Sequence, residues 1–344
     1  MVVALDQLLE REPGDERWCL LTTGRDTKRL ALRRIEVRVV PSWFRGHAWE
    51  QFALARAARD GSLIGLAGSG PVALRRQMVV VHDASVFRHP DFYTARYGLW
   101  HRSLARAIST HARVATVSQF SQRELADVLR LKREAIPIFH NGSDHMRRIE
   151  PRANAIDRLQ LRGRPYFVLL GNLTKNKNMA VAVEALKMVP DVALVLVGGL
   201  DARVFGSDSA APSNDRVVLA GHLPDAEVAG LLSEATALIF PSFYEGFGIP
   251  PLEAMVLRCP VIASAIPAVE EACGDAALYF DPRDASALAQ AMRVILAEGV
   301  AKRSERQRNG VERAGSFTWN RSAAKMIRYC REHLFCVDSP GAPD

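Results

Sequence analysis

The apolar positions of the chain fall into twelve short, continuous runs rich in β-branched residues. Six runs lie between residues 17 and 142, the last of them AIPIFHNG at 135–142, and six lie between residues 166 and 281. Segments with helical periodicity separate many of these runs, such as NMAVAVEALKMV at 178–189 and DAEVAGLLSEA at 225–235. This alternation is typical of α/β proteins whose parallel sheets are covered by helices on both faces.

The series of runs restarts near residue 165, after the arginine-rich stretch RRIEPRANAIDRLQLRGRP. We therefore expect two Rossmann-like domains, over residues 1–160 and 161–320. A C-terminal helix and tail at 321–344 is expected to pack back on the first domain. Two such domains facing each other would enclose a central cleft.

Ligands of open parallel sheets bind at the carboxyl ends of the strands, so the residues that follow each run are the candidate site residues. Almost every predicted strand end carries glycine, histidine, asparagine, serine or an acid. In chain order the candidate positions are His82, Asp83, Ser118, Asn141, Gly142, 171–178, Gly198, Gly199, Gly221, His222 and 242–253.

The composition narrows the class of protein further. Of 344 residues, 48% are apolar and 24% are charged, as in a globular protein with two domains. Five cysteines without a CxxC pair argue against a zinc ribbon or a disulfide scaffold and suit a reducing cytoplasm. We see no signal peptide and no apolar run near the roughly 20 residues of a membrane span. The expected location is the cytoplasm.

The net charge of +7 is unevenly distributed along the chain. Residues 1–164 contain 28 Lys and Arg against 17 Asp and Glu, a net of +11, and the remainder has a net of −4. A basic half favours an anionic partner such as nucleic acid, a phospholipid surface or a phosphorylated substrate. Solvated arginines on surface helices would explain the same charge.

The stretch ALIFPSFYEGFGIPPLEAM at 237–255 combines a buried strand, two carboxylates and a helix start. We expect Pro251 at the first helical position and Glu253 in the first turn. Gly246 and Gly248 leave backbone N–H groups open to a phosphate at the helix N-terminus, and the carboxylates suit sugar and ribose hydroxyls. An acid in a first turn also stabilises the helix dipole by roughly 0.3–1 kcal/mol without any ligand; Glu245 has no such structural explanation.

EGFGIPPLE resembles the E-x7-E motif of family 4 glycosyltransferases, the retaining enzymes of GT-B fold. The similarity extends over roughly residues 35–330 and includes GHLPDAEVAGLLSEATALIFPS, CPVIAS and GDAALYFDPRDASALAQAM. It also includes VVVHDASVFRHPDFY, VATVSQFSQREL and NGSDHM in the first half. Because these flanking segments occur in the family's order, the E-x7-E motif is a specific sign of the family here.

The resemblance implies roles for residues of the second domain. Glu245 would bind hydroxyls of the donor sugar and Glu253 the ribose of the nucleotide. Lys177, in GNLTKNKNM, would bind the diphosphate, a charge-assisted contact worth about 1.5–3 kcal/mol. The family usually has an arginine before this lysine; here it is Asn176, and Lys175 would substitute for it. The remaining donor-binding residues would be Gly171, Asn172, His222, Gly246, Phe247, Gly248 and Ile249.

In the first domain, His82 and Asp83 follow the run MVVV. In the family this histidine lies beside the donor sugar, so we assign His82 a positioning and electrostatic role rather than that of a base. His82, Asp83 and Glu245 are the candidate catalytic residues. No Asp-x-Asp motif and no metal-ligand spacing of histidines is present, so we expect no metal and no cofactor.

The segment YGLWHRSLARAISTHAR at 97–113 carries Leu99, Leu104 and Ile108 at roughly helical spacing, together with three arginines. We expect these apolar residues to pack in the core, with a solvated arginine face. The alternative is a basic amphipathic helix that lies on an anionic membrane.

Family members usually open with a strand and a glycine-containing loop before the first helix. This chain starts with VVALDQLLERE, which has the pattern of that helix. The sequence therefore predicts a first domain without its first strand, and with it a loss of part of the acceptor side.

The resemblance implies a retaining glycosyltransferase. It would move a hexose, with mannose favoured, from a nucleotide sugar such as GDP-mannose to a saccharide or lipid-diphosphate-linked saccharide in polysaccharide biosynthesis. Peripheral contact with anionic lipid at the inner face of the cell membrane is expected, and nucleic acid is not. The alternatives are a nucleotide-sugar epimerase of the same architecture and a truncated nucleotide-sugar-binding protein without turnover.

Overall fold

The computed structural model describes residues 1–24, 31–172, 174–199 and 215–335. The end of the predicted C-terminal tail, at 336–344, lies outside the described residues. The chain divides into two compact units. The first contains Met1–Gly142 and the residues from Trp319 onward, and the second contains Ser143–Thr318. Both are built on parallel sheets.

Two small parallel sheets form the framework of the first unit. In one, β1 (Cys19–Thr22) pairs with β2 (Glu36–Val39). In the other, β4 (Gln77–Val80) lies between β3 (Leu63–Gly65) and β5 (Arg113–Ala115). The helices are α1 (Val2–Arg11), a helical segment α2 at 46–57 whose central part Trp49–Leu54 is π-helical, α3 (Ser85–Arg88), α4 (Ala95–Ser109) and α5 (Gln119–Leu129).

The run AIPIFHNG forms no strand, contrary to the prediction. It makes only an isolated parallel bridge between Ile138 and Thr116. Thr116 donates its N–H to the Pro137 carbonyl at 2.9 Å, and Phe139 donates to the Thr116 carbonyl at 2.7 Å. Pro137 has no N–H to donate, so the ladder cannot continue along this segment.

Helix α1 occupies the predicted helical segment at the start of the chain, and a buried carboxylate anchors it. Asp6 accepts the backbone N–H groups of Arg33, Arg34 and Ile35 at 2.8–3.0 Å. Burial by itself raises the pKa of the Asp6 carboxyl, but these donors and the charge of Arg33 bring it below its usual value. The carboxylate therefore fixes α1 to the segment that leads into β2.

Helix α4 does not bury its apolar residues as predicted. Leu104 and Ile108 are in the core, whereas Leu99 is exposed. At 100° per residue, Leu99 lies about 140° around the helix from Leu104, and Gly98 takes the buried position beside it. The solvent face of α4 therefore carries apolar side chains as well as arginines.

The second unit contains a six-stranded parallel sheet with the order β11-β10-β9-β6-β7-β8. Its strands are β6 (Tyr166–Leu170), β7 (Ala193–Val197), β8 (Val217–Gly221), β9 (Ala237–Phe240), β10 (Val261–Ser264) and β11 (Leu278–Phe280). Its helices are α6 (Asn154–Arg158), α7 (Met179–Lys187), α8 (Asp225–Glu234), α9 (Ile249–Val256), α10 (Pro267–Cys273), α11 (Ala285–Leu296) and α12 (Val300–Gly315).

The strand order reverses between β6 and β9. The chain begins in the middle of the sheet at β6, proceeds outward to β8, and then returns to place β9 on the other side of β6. Strands β6, β7, β9 and β10 are buried along their whole lengths, as continuous apolar runs require. Ligands of such sheets bind where the order reverses, beyond the carboxyl ends of the strands.

The last helix, α13 (Trp319–His333), belongs to the first unit, where it contacts α1. Met326, Ile327 and Cys330 are buried, and Arg331 donates to Glu16 Oε1 at 2.6 and 2.9 Å. The second unit is entered and left at neighbouring points, because Ser143 donates its N–H to the Phe317 carbonyl at 3.3 Å.

Candidate active site

Two loops follow the neighbouring strands β6 and β9 at the reversal of the strand order. Hydrogen bonds join them: Phe243 donates its N–H to the Asn176 carbonyl at 2.9 Å. The Asn178 side-chain amide donates to the carbonyls of Pro241 at 3.1 Å and Pro282 at 2.6 Å. The loop that carries the lysines is therefore held in register with the loop that carries Glu245.

Lys177 and Glu245 meet in this region, as an ion pair between Nζ and Oε1 at 2.5 Å. Both side chains are mostly buried, and Nζ lies 5.2 Å from the centre of the Phe240 ring. A Cβ added at Gly171 would lie 3.7 Å from Lys177 Cε, so the end of β6 is close to the lysine stem. Together these residues present a cation and a carboxylate at one edge of the sheet.

Glycines let the strand ends approach one another. Gly198 follows β7 with a φ of +131°, and a Cβ there would lie 2.2 Å from the Gly171 carbonyl oxygen. At Gly199 a Cβ would lie 3.1 Å from His222 Nε2 and 3.6 Å from Asn172 Oδ1. The predicted residues Gly171, Asn172 and His222 are thus brought together beyond β6, β7 and β8.

Helix α9 starts two residues earlier than predicted. Gly248, with a φ of +124°, lies directly before the helix. Ile249 is the first helical residue, and Pro251 is the third. Prolines are tolerated here because the first N–H groups of a helix have no intrahelical partner. Glu253 consequently lies in the second turn, and its predicted place in the first turn is wrong. Helix-dipole stabilisation falls off beyond the first turn and so does not explain this carboxylate.

Glu253 pairs with His145, a residue whose role sequence reasoning missed. His145 Nε2 lies 3.1 Å from Glu253 Oε1. The imidazole comes from the short 3-10 helix Asp144–Arg148, which packs against α9. NGSDHM contributed to the family resemblance, but nothing in its spacing indicates a contact with a residue 108 positions away.

The other predicted donor-binding residues differ in what they expose. The Phe247 side chain is buried against Phe317, with ring centroids 5.2 Å apart, so only its backbone could meet a ligand. Ile249 is half-buried at the start of α9, and Lys175 is exposed at the start of the 3-10 helix Lys175–Lys177. The role of Lys175 in place of the arginine that the family usually has before Lys177 stays a prediction.

His82 and Asp83 follow β4 in the first unit. His82 Nε2 lies 2.9 Å from the Leu66 carbonyl oxygen, which can only accept, so Nε2 donates in this hydrogen bond. Asp83 Oδ1 accepts the backbone N–H of Ser85 at 2.7 Å, at the start of α3. Asp83 therefore has a local structural role, and within the described part of the chain Nδ1 of His82 makes no hydrogen bond, so a ligand could meet it.

Two features of the part of the chain that the structure describes bear on metal and membrane binding. There, no group of three or more His, Cys, Asp and Glu side chains is placed to hold a metal ion. None of the helices in the same part combines the length and the apolar character needed to cross a bilayer.

Comparison with known proteins matches residues 152–313 to the family Glycosyl transferases group 1. O-antigen chain mannosyltransferase B of Escherichia coli is 27% identical over 75% of this chain and 70% of its own length. O-antigen chain mannosyltransferase RfbU of Salmonella typhimurium is 29% identical over 64% of this chain and 61% of its own length.

Solved structures agree on the fold. Anabaena Alr3699/HepE in complex with UDP and glucose has a TM-score of 0.72 at 17% identity, covering 96% of this chain and 95% of that one. WaaG, a glycosyltransferase involved in lipopolysaccharide biosynthesis, has a TM-score of 0.70 at 16% identity, covering 94% and 93%. Residues 152–313 therefore resemble the family Glycosyl transferases group 1, and the chain is a glycosyltransferase of GT-B fold, similar to O-antigen mannosyltransferases.

Proposed function

We propose that the chain is a retaining hexosyltransferase that moves mannose from a nucleotide sugar such as GDP-mannose to a growing saccharide. Lipid-diphosphate-linked saccharides are the acceptor class we favour. The proposal is supported by the names of the two O-antigen mannosyltransferases and by the UDP-glucose bound to Anabaena Alr3699/HepE. The setting is the synthesis of a surface polysaccharide.

The observation that carries the proposal is the Lys177–Glu245 pair where the strand order reverses. A donor diphosphate is a better partner for Lys177 than one carboxylate, because it offers more acceptor oxygens and more charge. Its arrival would release Glu245 to accept hydrogen bonds from sugar hydroxyls. Glu253 would accept from the ribose, and backbone N–H groups of residues 246–249 would bind the diphosphate or sugar.

The proposed transfer breaks the bond between the anomeric carbon and a diphosphate oxygen and forms a bond from the same carbon to the acceptor oxygen. The acceptor hydroxyl gives its proton to the departing diphosphate, on the same face of the sugar. Lys177 would stabilise the negative charge that develops on that diphosphate. His82 would orient the sugar through Nδ1, with Nε2 held by the Leu66 carbonyl.

A thermal-shift panel of nucleotide sugars and bare nucleotides tests the donor assignment. A ligand at 100 times its Kd should raise the free energy of unfolding by about 2.7 kcal/mol. Glu245→Ala is expected to abolish the extra stabilisation by the nucleotide sugar and to retain that by the bare nucleotide. Glu245→Gln, which keeps an acceptor oxygen, should lose less, and Glu305→Ala, at an exposed acid in the same unit, should lose nothing.

Equal loss of nucleotide and nucleotide-sugar binding in Glu245→Ala would contradict the assignment of Glu245 to the sugar. Release of a free epimerised product without acceptor would favour the epimerase instead. Nucleotide binding without transfer to any acceptor would favour a binding protein.

We also propose that transfer needs no divalent metal. A chelator such as EDTA is then expected to leave the transfer rate unchanged, and restoration of activity by Mg²⁺ or Mn²⁺ after chelation would overturn the proposal.

Peripheral contact of the first unit with an anionic membrane is the last part of the proposed function, because it would bring the enzyme to lipid-linked acceptors.

A further inference from the structure

Five large apolar side chains of the first unit project into solvent. Trp43 is 101% exposed, Leu99 63% and Trp100 51%, and Phe44 and Phe52 are also more than half exposed. Single exposed apolar residues are ordinary, but a group of this size marks an interaction surface. We call these five residues the aromatic surface.

Ring contacts connect the three segments that carry the aromatic surface. Phe44, in the loop after β2, lies 5.3 Å from Phe52 on α2, between ring centroids. On the same α2, His47 lies 6.2 Å from Trp100 and 5.0 Å from His101, both on α4. The three segments that carry these side chains are therefore neighbours in the first unit, and Trp43 and Leu99 lie next in sequence to Phe44 and Trp100.

The aromatic surface rests on a hydrogen-bonded scaffold. Trp49 Nε1 donates to the Val40 carbonyl at 3.1 Å, which ties α2 to the end of β2. Glu50 accepts from Ser69 Oγ at 2.7 and 2.9 Å and lies 3.2 Å from His47 Nδ1. The apolar side chains are thus held outward by ordered backbone, which reduces the entropy that binding must overcome.

The charge around the aromatic surface is positive. Segments 41–60 and 95–109 contain six arginines and two acids, Glu50 and Asp60, and Asp60 pairs with Arg59. Glu50 is mostly buried and engaged with Ser69 and His47. The six arginines are Arg45, Arg56, Arg59, Arg96, Arg102 and Arg106. A partner must therefore combine an apolar phase with negative charge.

We propose that the aromatic surface docks on an anionic lipid bilayer, with its apolar side chains in the interfacial region and the arginines at the lipid headgroups. Tryptophan prefers this region because its ring is apolar and its N–H is polar. A second copy of the chain is a poorer occupant, because it would bring two arginine-rich faces together. A protein partner would have to offer both a pocket for Trp43 and a set of acidic side chains, whereas an anionic bilayer offers an apolar phase and negative charge over its whole surface.

The inference rests on the membrane contact in the proposed function and specifies the residues that make it. Binding to vesicles needs neither donor nor acceptor, whereas transfer to a water-soluble acceptor needs no membrane. The two measurements can therefore fail separately.

Co-sedimentation with vesicles of phosphatidylcholine, with and without phosphatidylglycerol, tests the inference. The full chain is expected to bind the anionic vesicles, less so at high salt. Trp43→Ser combined with Trp100→Ser should weaken binding by more than about tenfold, from the apolar area lost. Val300→Ser is the matched control, since Val300 is 85% exposed in the second unit and lies outside the aromatic surface.

Charge variants separate the two components of the contact. Arg45→Gln with Arg96→Gln should weaken binding to anionic vesicles, and Arg308→Gln, at an exposed position of the second unit, should not. Transfer to a water-soluble acceptor should be unchanged in all of these variants.

Absence of binding to anionic vesicles, or full binding by the double tryptophan variant, would overturn the inference. So would concentration-dependent self-association that the double tryptophan variant abolishes, because a second copy would then cover the surface.

Discussion

The two carboxylates of the candidate site are held by different partners. Glu245 pairs with Lys177 from the loop after β6, whereas Glu253 pairs with His145 from the 3-10 helix Asp144–Arg148. If Glu253 binds the ribose, the imidazole positions it, because one hydrogen bond fixes the carboxylate that would otherwise rotate freely. His145 would then act on the nucleotide without touching it.

His145→Ala is expected to weaken binding of the bare nucleotide about fivefold, the effect of one hydrogen bond worth about 1 kcal/mol. His145→Gln should recover part of the loss, since its amide can donate to the same oxygen. Isothermal titration of nucleotide into each variant, with thermal unfolding as a check of the fold, measures the effect. Unchanged affinity in His145→Ala alongside reduced affinity in Glu253→Ala would reject the positioning role and keep that of Glu253.

At the residue scale, the sequence predicted the site residues that directly follow a strand. Glu245, Lys177, Asn172 and His222 follow strands, and parallel strands bring their carboxyl ends to one edge. His145 could not be found this way, because it follows no strand and meets Glu253 through the packing of a short helix.

Strands were the elements best predicted, since eleven of the twelve apolar runs contain one among the described residues. A strand buried on both faces needs a continuous apolar run, which is visible in sequence. Element ends were less predictable: Pro137 stopped a ladder, and Gly248 let α9 begin two residues early. Which face of α4 is buried depends on its neighbours and not on its own periodicity.

The anchoring of α1 gives a stability prediction. Asp6→Ala should lower the free energy of unfolding by about 3 kcal/mol near neutral pH, since it leaves three backbone N–H groups without their acceptor. Glu10→Ala, on the same helix, removes only the exposed pair with Arg33 and should cost less than about 1 kcal/mol.

The effect of Asp6 should depend on pH with a definite sign. The folded pKa of Asp6 is lowered, so its stabilisation is present above the unfolded pKa near 3.9 and is lost as the pH falls through the folded value. The difference between wild type and Asp6→Ala should therefore shrink in acid. Urea unfolding at neutral pH and below pH 4 measures it, and a constant difference would contradict the role of the carboxylate.

The close approach of the loops after β6 and β7 can be tested with one methyl group. Gly198→Ala should destabilise the protein by more than about 2 kcal/mol, because the Cβ would meet the Gly171 carbonyl at a positive φ. Gly163→Ala, also at a positive φ but with nothing within 4 Å, should cost only about 1 kcal/mol. Urea midpoints compare the two; equal losses would mean that the clash is relieved at no cost.

At the scale of the whole molecule, the net charge differs between the two units. The first unit has 26 Lys and Arg against 17 Asp and Glu, and the second has 19 against 21. The predicted donor-binding residues all belong to the second unit, whereas His82 and the aromatic surface belong to the first. Nucleotide binding and membrane binding should accordingly respond to different sets of substitutions.

His82→Ala is expected to lower kcat for transfer by about 100-fold, the lower end of the effect of removing one electrostatic stabiliser of a transition state. Its affinity for bare nucleotide should stay unchanged. His333→Ala, on α13 of the same unit, serves as the control. A parallel loss of nucleotide affinity in His82→Ala would mean that this imidazole acts in donor binding rather than in the transfer step.

The hydrogen bond between Ser143 and Phe317 places the start and finish of the second unit side by side. That unit is thus an insertion, spliced between Gly142 and Trp319 with adjoining junctions. The second unit could be removed and replaced by a short linker, or exchanged with the corresponding segment of a relative, without distorting the backbone of the first unit. A protease that cuts one junction would leave the pieces tethered by the other.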